Sequence, residues 1–440
     1  MNNKLTQYYT LEKKRVIERC KECGVCAKKC PIICHTELNT VSPQDIQIRI
    51  KAYLQDGTPN KTVFTRALSC MECFKCADKC CPEGLNPMLV NEIIKWEYRN
   101  NNIVETPYGD PQAADSAHRA IAGIQINRDA YHKISTPSQK DGARYVLFAG
   151  CNVYLQPEKI LTCLDIVDLI TEDYAFVPGL DFCCGDVHIF YGSIAKAETS
   201  SQQLVEKIAS YNPKEVIFWC PTCLCRLEKT ISQTAKIPFP MMSFPQFLAK
   251  HMDKLTFKKQ IRKTVTLHEA CKAAFTGVDL TGARTVLQNI PGVKLVEMPR
   301  HGKNTVCCGS GAADYFQNSF EAVRDDRMME AARTNADVFA NVCHHCHTVF
   351  VGNEDKYNYS VKNYVNLVAE ALGIKREDIF KKYRQMKNID TILEDIDKRV
   401  DESPFTREQI TEALNTIFIR HRSKKGEVNG AEPEKRNISR

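Results

Sequence analysis

The cysteines of this sequence come in groups whose spacing is typical of metal ligands. Eighteen of the 22 cysteines fall into four groups. The first two groups share the spacing C-x2-C-x2-C-x3-C and consist of Cys20, Cys23, Cys26 and Cys30, and of Cys70, Cys73, Cys76 and Cys80. The first three cysteines of such a motif bind one cluster, and the fourth binds a second cluster. Each motif therefore supplies the fourth ligand of the cluster that the other motif binds with three cysteines. The pattern predicts two [4Fe–4S] cubanes.

The crossed arrangement assigns one cubane to Cys20, Cys23, Cys26 and Cys80, and the other to Cys70, Cys73, Cys76 and Cys30. A pair of structural zinc sites is the alternative, but zinc usually takes two CxxC pairs. The evenly spaced third cysteine of each motif argues against zinc. Cys81, rather than Cys80, directly precedes Pro82, so the fourth ligand from the second motif is either of these two cysteines.

The other two groups form an internal repeat of five cysteines. The first copy contains Cys151, Cys183, Cys184, Cys220 and Cys223, and the second contains Cys271, Cys307, Cys308, Cys343 and Cys346. Each copy reads as one cysteine, then Cys-Cys-Gly, then CxxC, at nearly the same spacing. Five thiolates are one more than a cubane or a zinc site needs. Either one cysteine in each copy is idle, or the site holds a more open cluster whose irons share thiolates.

Short apolar runs lead into these cysteines. They begin at Tyr145, Val216, Val265 and Val338, and helical stretches lie between them. Such runs are typical of buried strands in a parallel sheet, whose carboxyl ends gather functional residues at one edge. Gly185 and Gly309 are expected to let the backbone pass close to a cluster. Proline-initiated helices from Pro43 and from Pro87 favour a helical ferredoxin module. The predicted fold is therefore an α-helical ferredoxin domain followed by two α/β lobes with parallel sheets.

Length, charge and composition exclude several classes of protein. The chain has 440 residues, 43% hydrophobic and 26% charged, and its net charge of +7 is spread widely, so no nucleic-acid partner is expected. No apolar run is long enough to span a bilayer, and the N-terminus lacks the apolar core of a secretory signal. These features predict a cytoplasmic protein, or one held peripherally on the inner face of the membrane through a partner. A reducing compartment makes disulfides a poor explanation for so many cysteines.

The repeated cysteines resemble the CCG-domain family, which includes the B-type and D-type subunits of heterodisulfide reductase. The same family includes the iron–sulfur subunits of glycolate, lactate and glycerol-3-phosphate dehydrogenases. The segment from Cys307 to Ala313 and the run Cys220-Pro221-Thr222-Cys223 carry the resemblance. A helical ferredoxin module ahead of two such domains is most similar to the D-type heterodisulfide reductase component.

The resemblance implies cofactors and ligands beyond what spacing shows. In that family, complete five-cysteine motifs bind non-cubane [4Fe–4S] clusters, which implies one or two such clusters on the ten repeated cysteines, with zinc as the alternative in one site. It also implies an oxidoreductase in which the two cubanes carry electrons to the CCG sites. The implied partners are a membrane cytochrome b, a flavoprotein dehydrogenase or an electron-transfer flavoprotein.

Two other functions remain open at this point. One is an electron conduit for an FAD-dependent 2-hydroxyacid dehydrogenase of the glycolate or lactate type, delivering electrons to a quinone or cytochrome. No dinucleotide-binding glycine loop occurs in the chain, so any flavin belongs to a partner. The other is a non-enzymatic redox sensor, although no output domain is recognisable.

The motifs divide the chain into five segments. Residues 1–100 form the ferredoxin-type domain, 101–141 a connector, 142–260 the first CCG domain, 261–375 the second, and 376–440 a charged helical segment with a disordered tail. Of the residues outside the motifs, His268 is a candidate donor to a cluster ligand. His344, His345 and His347 are expected to line the cluster pocket, and Cys34, Cys163 and Cys225 to be ordinary core or surface residues.

Overall fold

The N-terminal part of the chain is helical, as the sequence predicts. The computed structural model describes residues 3–77, 80–105 and 109–419. The α-helices before residue 101 are α1 (Lys4–Arg19), α2 (Val25–Lys28), α3 (Pro43–Asp56), α4 (Lys61–Leu68) and α5 (Pro87–Asn100). The cysteine motifs lie in the loops and short turns between these helices.

Helices α3 and α5 begin at capped prolines. The Ser42 hydroxyl accepts a hydrogen bond from the Asp45 N–H at 3.0 Å, and Pro43 occupies the first helical position. Asn86 caps α5 in the same way ahead of Pro87. A proline at this position loses no hydrogen bond, and the cap satisfies an otherwise free N–H group. The caps therefore fix the points at which the cysteine-bearing loops meet the helices.

Two short helices occupy the segment that the sequence indicates as a connector. They are α6 (Ala117–Gln125) and α7 (Arg128–Ser135), capped by Ser116 and Asn127. Helix α6 buries Ile121 and packs against the helix Arg407–Leu414 near the C-terminal end of the described chain. The sequence prediction missed both helices because 9 and 8 residues are too few for a clear helical period.

The first α/β lobe follows. Its elements are β1 (Tyr145–Phe148), α8 (Pro157–Ile170), β2 (Tyr174–Val177), α9 (Asp186–Phe190), α10 (Ile194–Ala209), β3 (Glu215–Phe218), α11 (Pro221–Lys229), β4 (Met241–Ser243) and α12 (Phe244–Lys250). The strands pair in the order β2-β1-β3-β4, and every pair is parallel.

The second lobe repeats this architecture. Its elements are β5 (Lys263–His268), α13 (Cys271–Thr276), α14 (Gly282–Asn289), β6 (Val293–Leu295), α15 (Gln317–Ala332), β7 (Val338–Asn341), α16 (His344–Val351), β8 (Ser360–Asn363) and α17 (Tyr364–Leu372). The order β6-β5-β7-β8 is again parallel throughout. The predicted pair of α/β lobes is confirmed.

The central strands of both sheets are buried on both faces. All residues of β1 and of β7 are buried, since helices cover the sheets from either side. Strands of this kind read as continuous apolar runs rather than as alternating patterns. This is why the four runs that lead into cysteines could be recognised from the sequence.

Three further helices close the described chain: α18 (Ile379–Met386), α19 (Ile389–Glu402) and α20 (Arg407–Leu414). They agree with the helical segment expected after residue 375. The tail that the sequence predicts to be disordered lies largely in residues 420–440, outside the described residues. Within the described ranges, every helix is too short or too polar to cross a membrane.

Candidate metal centres and the cavity between the lobes

The first ferredoxin-type site forms where α1 ends. Three of its predicted ligands line one pocket together with both candidates for the fourth: Cys20, Cys23, Cys26, Cys80 and Cys81. Burial raises the pKa of the Cys26 thiol to about 12, and the nearby Cys80 and Cys20 contribute to the rise. Cys80 is buried and Cys81 partly exposed. The structure thus brings the predicted set together, and the choice between Cys80 and Cys81 stays a prediction.

The second ferredoxin-type site combines the two motifs. Burial raises the pKa of the Cys70, Cys73 and Cys76 thiols, and in each case Cys30 is among the neighbours that raise it further. Cys30 therefore lies with the second motif although it belongs to the first. This proximity is consistent with the crossed arrangement, which stays a prediction.

Six of the ten repeated cysteines follow the carboxyl ends of the central strands, and the two Cys-Cys pairs follow the edge strands β2 and β6. Cys151 and Cys271 follow β1 and β5, whereas Cys220 and Cys343 follow β3 and β7 and cap helices α11 and α16. The free N–H groups of a helix N-terminus favour negative charge, including that of a thiolate. The equivalent positions in the two lobes thus share the same electrostatic setting.

In the first lobe the five thiols form a continuous series. The Cys183 thiol contacts those of Cys151 and Cys184, and the Cys184 and Cys220 thiols contact that of Cys223. The pKa of Cys183, Cys184 and Cys223 is well above the ordinary value. The largest cause is the hydrogen bond with Cys151, Cys183 and Cys184, respectively, and burial raises the pKa further. All five predicted ligands of this site are therefore in contact.

In the second lobe the same series occurs. The Sγ atoms of Cys271 and Cys307 are 3.6 Å apart. Cys308 contacts Cys307 and Cys346, and Cys346 contacts Cys343. Hydrogen bonds from Cys307 and Cys346 lower the pKa of the Cys308 thiol despite its burial.

His268 distinguishes the second site from the first. Its side chain is fully buried, and its Nδ1 accepts a hydrogen bond from Arg327 Nε at 3.0 Å. The imidazole also helps to lower the pKa of the Cys308 thiol. The equivalent strand position in the first lobe is Phe148. A buried histidine therefore lies near a predicted ligand in this site alone, and its role as a donor stays a prediction.

Gly185 and Gly309 occupy turns next to the Cys-Cys pairs, and the Gly185 N–H donates to the Cys183 thiol at 3.3 Å. Both have a left-handed backbone, with φ of +86° and +92°. A Cβ atom on Gly185 would lie 2.7 Å from the carbonyl oxygen of Ala197 on α10, and one on Gly309 would lie 3.2 Å from that of Phe320 on α15. The glycines thus permit a turn and a close helix contact behind each Cys-Cys pair, because a side chain would fit neither the conformation nor the space.

Both five-cysteine sites open into one cavity between the lobes. The cavity has a volume of about 140 Å³ and is lined by cysteines of both copies, by Lys272 and by His344 and His345. Tyr191 and Asp314 close it from opposite lobes, with the tyrosine hydroxyl donating to the carboxylate at 2.6 Å. His347 does not line the pocket as expected and instead hydrogen-bonds to Asp378 at 2.7 Å.

The second ferredoxin-type site lies beside this cavity. Met71, between two of its predicted ligands, lines the cavity. The Cys271 thiol is among the charges that raise the pKa of Cys73, and Lys75 Nζ donates to the Thr305 carbonyl at 3.1 Å. Three of the four candidate sites are therefore neighbours.

A buried ion network joins the same three regions. The Arg226 guanidinium, fully buried on α11, donates to Glu92 at 2.8 Å, to Glu72 at 3.1 Å and to Asp186 at 2.8 Å. Lys272 also donates to Asp186, at 2.7 Å, and Lys95 to Glu72 at 3.0 Å. The network was missed by sequence reasoning, because its members come from three domains and share no local pattern.

Each lobe and the ferredoxin-type region contribute charges to this network from positions next to predicted ligands. Glu72 lies between Cys70 and Cys73, and Lys272 follows Cys271. Burial would raise the pKa of the Asp186 carboxyl, but Lys272 and Arg226 together lower it to about 2. The carboxylate is therefore charged, and the network balances its charges internally.

The donor set fits iron–sulfur clusters. All 22 cysteines lie in the described residues, and none forms a disulfide. Thiolates are the ligands that iron–sulfur clusters require, and each candidate site gathers four or five cysteines.

Sequence comparison identifies the two kinds of domain. The cysteine-rich CCG domain matches residues 145–228 and 265–351. The 4Fe-4S dicluster domain matches residues 19–86. These matches contain all eighteen cysteines predicted to be ligands.

Relatives match over most of the chain. The D-type subunit of dihydromethanophenazine:CoB–CoM heterodisulfide reductase from Methanosarcina barkeri is 27% identical over 393 residues, which are 81% of this chain and 94% of the relative. The corresponding protein from Methanosarcina mazei is 25% identical over the same share. The B-type subunit of fumarate reductase (CoM/CoB) from Methanothermobacter marburgensis is 24% identical over 74% of this chain and 66% of the relative.

Proposed function

Because the chain is an iron–sulfur oxidoreductase component with two CCG domains and a 4Fe-4S dicluster domain, homologous to the D-type subunit of heterodisulfide reductase, we propose that it interconverts a disulfide and two thiols in the cavity between its lobes. The chain contains 4Fe-4S clusters and transfers electrons. The substrate class, the ligands and the route of the electrons are the proposal.

The proposed ligands are those that the sequence predicts. Cys20, Cys23, Cys26 and Cys80 hold one cubane, and Cys70, Cys73, Cys76 and Cys30 hold the other. The two sets of five repeated cysteines hold one non-cubane cluster each. When bound, such clusters supply single electrons at potentials set by their surroundings.

A single observation carries the proposal: both five-cysteine sites line one cavity. A disulfide that is reduced takes up two electrons and two protons and leaves as two thiols. Two one-electron sites that face the same space match this demand, because the substrate would contact both at once. If the two sites opened separately, the arrangement would fit an electron conduit as well as it fits a disulfide reductase.

The neighbouring ferredoxin-type site supports the same function. Met71 reaches the cavity wall, and Cys73 lies near Cys271. Electrons that enter at the partly exposed first site would then have a continuous route inward. The names of the relatives also support a thiol–disulfide couple, since both the heterodisulfide reductase and the fumarate reductase are named for CoM and CoB.

The proposal includes partners, since the relatives are subunits of reductases. A membrane cytochrome b, a flavoprotein dehydrogenase or an electron-transfer flavoprotein would exchange electrons with the first ferredoxin-type site. The chain would then act in the cytoplasm and reach the inner face of the membrane only through such a partner.

Paramagnetic resonance tests the proposal. Anaerobically purified protein is oxidised in the presence of CoM, CoB, glutathione or no thiol. We expect a new signal from a CCG site with at least one thiol, because the thiol would occupy the cavity beside the cysteines. Spectra that stay the same with every thiol would contradict substrate binding and favour a conduit for a flavin-dependent dehydrogenase.

A further inference from the structure

Arg66 is a buried cation with two nitrogen atoms that have no hydrogen-bond partner among the described residues. It lies on α4, one helical turn before Cys70, and is 1% exposed. Its Nε and Nη1 atoms are buried and make no hydrogen bond to any described residue. A guanidinium is always charged, so leaving its Nε and Nη1 donors unpaired in the interior is strongly unfavourable.

The groups around Arg66 are the predicted ligands of both cubanes. Burial would lower the pKa of its guanidinium, but Cys30, Cys76, Cys70 and Cys26 raise it more. Cys26 belongs to the first ferredoxin-type site, and the other three belong to the second. The thiols that interact electrostatically with Arg66 thus belong to both sites, and three of the four belong to the second.

No other cation described in the ferredoxin-type region combines this burial with this setting. Lys95 is also buried, but it pairs with Glu72 at 3.0 Å. Arg49 donates to Thr62 at 3.0 Å and is exposed. Of these three side chains, only Arg66 has thiol groups as its neighbours, whereas Lys95 and Arg49 donate to oxygen atoms.

We propose that Arg66 donates N–H···S hydrogen bonds to sulfur at both cubane sites and raises their reduction potentials, most strongly that of the second site. This inference rests on the proposed cubanes. A cluster held by four thiolates is anionic, and reduction adds a further negative charge. A fixed positive charge with hydrogen bonds to sulfur stabilises the reduced form more than the oxidised form, which raises the potential.

The function of such a residue would be to favour inward electron flow. Of the two cubanes, the second lies beside the cavity, and Arg66 is surrounded by three of its four predicted ligands. A higher potential at the second cubane than at the first would draw electrons towards the CCG sites. Arg66 is thus a positioning and tuning residue that touches no substrate.

The test compares Arg66→Lys and Arg66→Met in the full chain with its clusters. Midpoint potentials of both cubanes are measured by paramagnetic resonance during a redox titration. In Arg66→Met we expect the reduction equilibrium of the second cubane to fall at least about tenfold, which is about 59 mV for one electron. Arg66→Lys keeps the positive charge, so the potential of the second cubane should shift by less than half as much as in Arg66→Met. Arg49→Met is the control. The Arg49 side chain makes one hydrogen bond to α4, at Thr62, and its removal should leave both potentials unchanged.

A second measurement keeps the test decisive if Arg66→Met fails to assemble. Protein with ¹⁵N-labelled arginine is reduced, and pulsed resonance records the nitrogen coupling at the second cubane. We expect a coupling in the parent that Arg66→Lys removes. Cubanes with unchanged potentials, or with no arginine coupling, would overturn the role of Arg66 alone. A chain without cubane signals would overturn both this role and the proposed ligands.

Discussion

Replacing Cys308 by serine is expected to remove the cluster of the second CCG site while both cubanes remain. Cys308 lies at the centre of the thiol series, in contact with Cys307 and Cys346, and its pKa is lowered there. A serine hydroxyl is a far weaker iron ligand than a thiolate, so the site would lose its central anchor. The thiol-dependent resonance signal of this site should disappear, and iron content should fall by about one cluster.

Cys163→Ser is the matched control for this prediction. Cys163 is as buried as Cys308, but it lies on α8 outside all four candidate sites. Its replacement should keep every cluster signal. If Cys308→Ser also removed both cubane signals, the ferredoxin-type and CCG sites would not be separate modules.

Replacing Arg226 by methionine is expected to destabilise the junction of the three domains. Glu72, Glu92 and Asp186 all accept hydrogen bonds from this fully buried side chain. Removing one partner of a buried ion pair leaves uncompensated charges and typically costs about 3–5 kcal/mol. In a chain of several domains this appears as a lower midpoint of the first unfolding step in denaturant.

Arg376→Met provides the comparison. Arg376 also pairs with a carboxylate, Asp165, at 2.5 Å, but the two side chains are 30% and 27% exposed. Exposed pairs of this kind contribute about 0–1 kcal/mol, so this variant should unfold nearly as the parent does. Equal unfolding midpoints for the two variants would show that the Arg226 network does not hold the domains together.

Much of the fold was predictable because its signals are local. Each central strand is a short apolar run that ends near a cysteine, and a strand buried on both faces produces such a run. Spacing alone also predicts the crossed pairing of Cys30 with the second motif, and the structure places Cys30 near that motif. The helices of the connector were missed because they are short, and α6 is held by packing against a distant helix, α20.

The relation between the sites could not be read from the sequence. Nothing near Cys151 or Cys271 indicates that their two sites share a cavity, since this depends on how the lobes pack. Arg226 and Glu92 are 134 residues apart in the chain, so their pairing has no sequence pattern. Arg66 carries no signal either, because a basic residue on a short helix ordinarily faces solvent.

The central claim is that the grouped thiols hold iron–sulfur clusters, and metal analysis tests it most directly. Anaerobically purified full-length protein is assayed for iron, zinc and acid-labile sulfide. Two cubanes and two CCG clusters predict a brown protein with about sixteen irons, nearly as much sulfide and little zinc. A colourless protein without iron, or one with zinc in its place, would contradict the account.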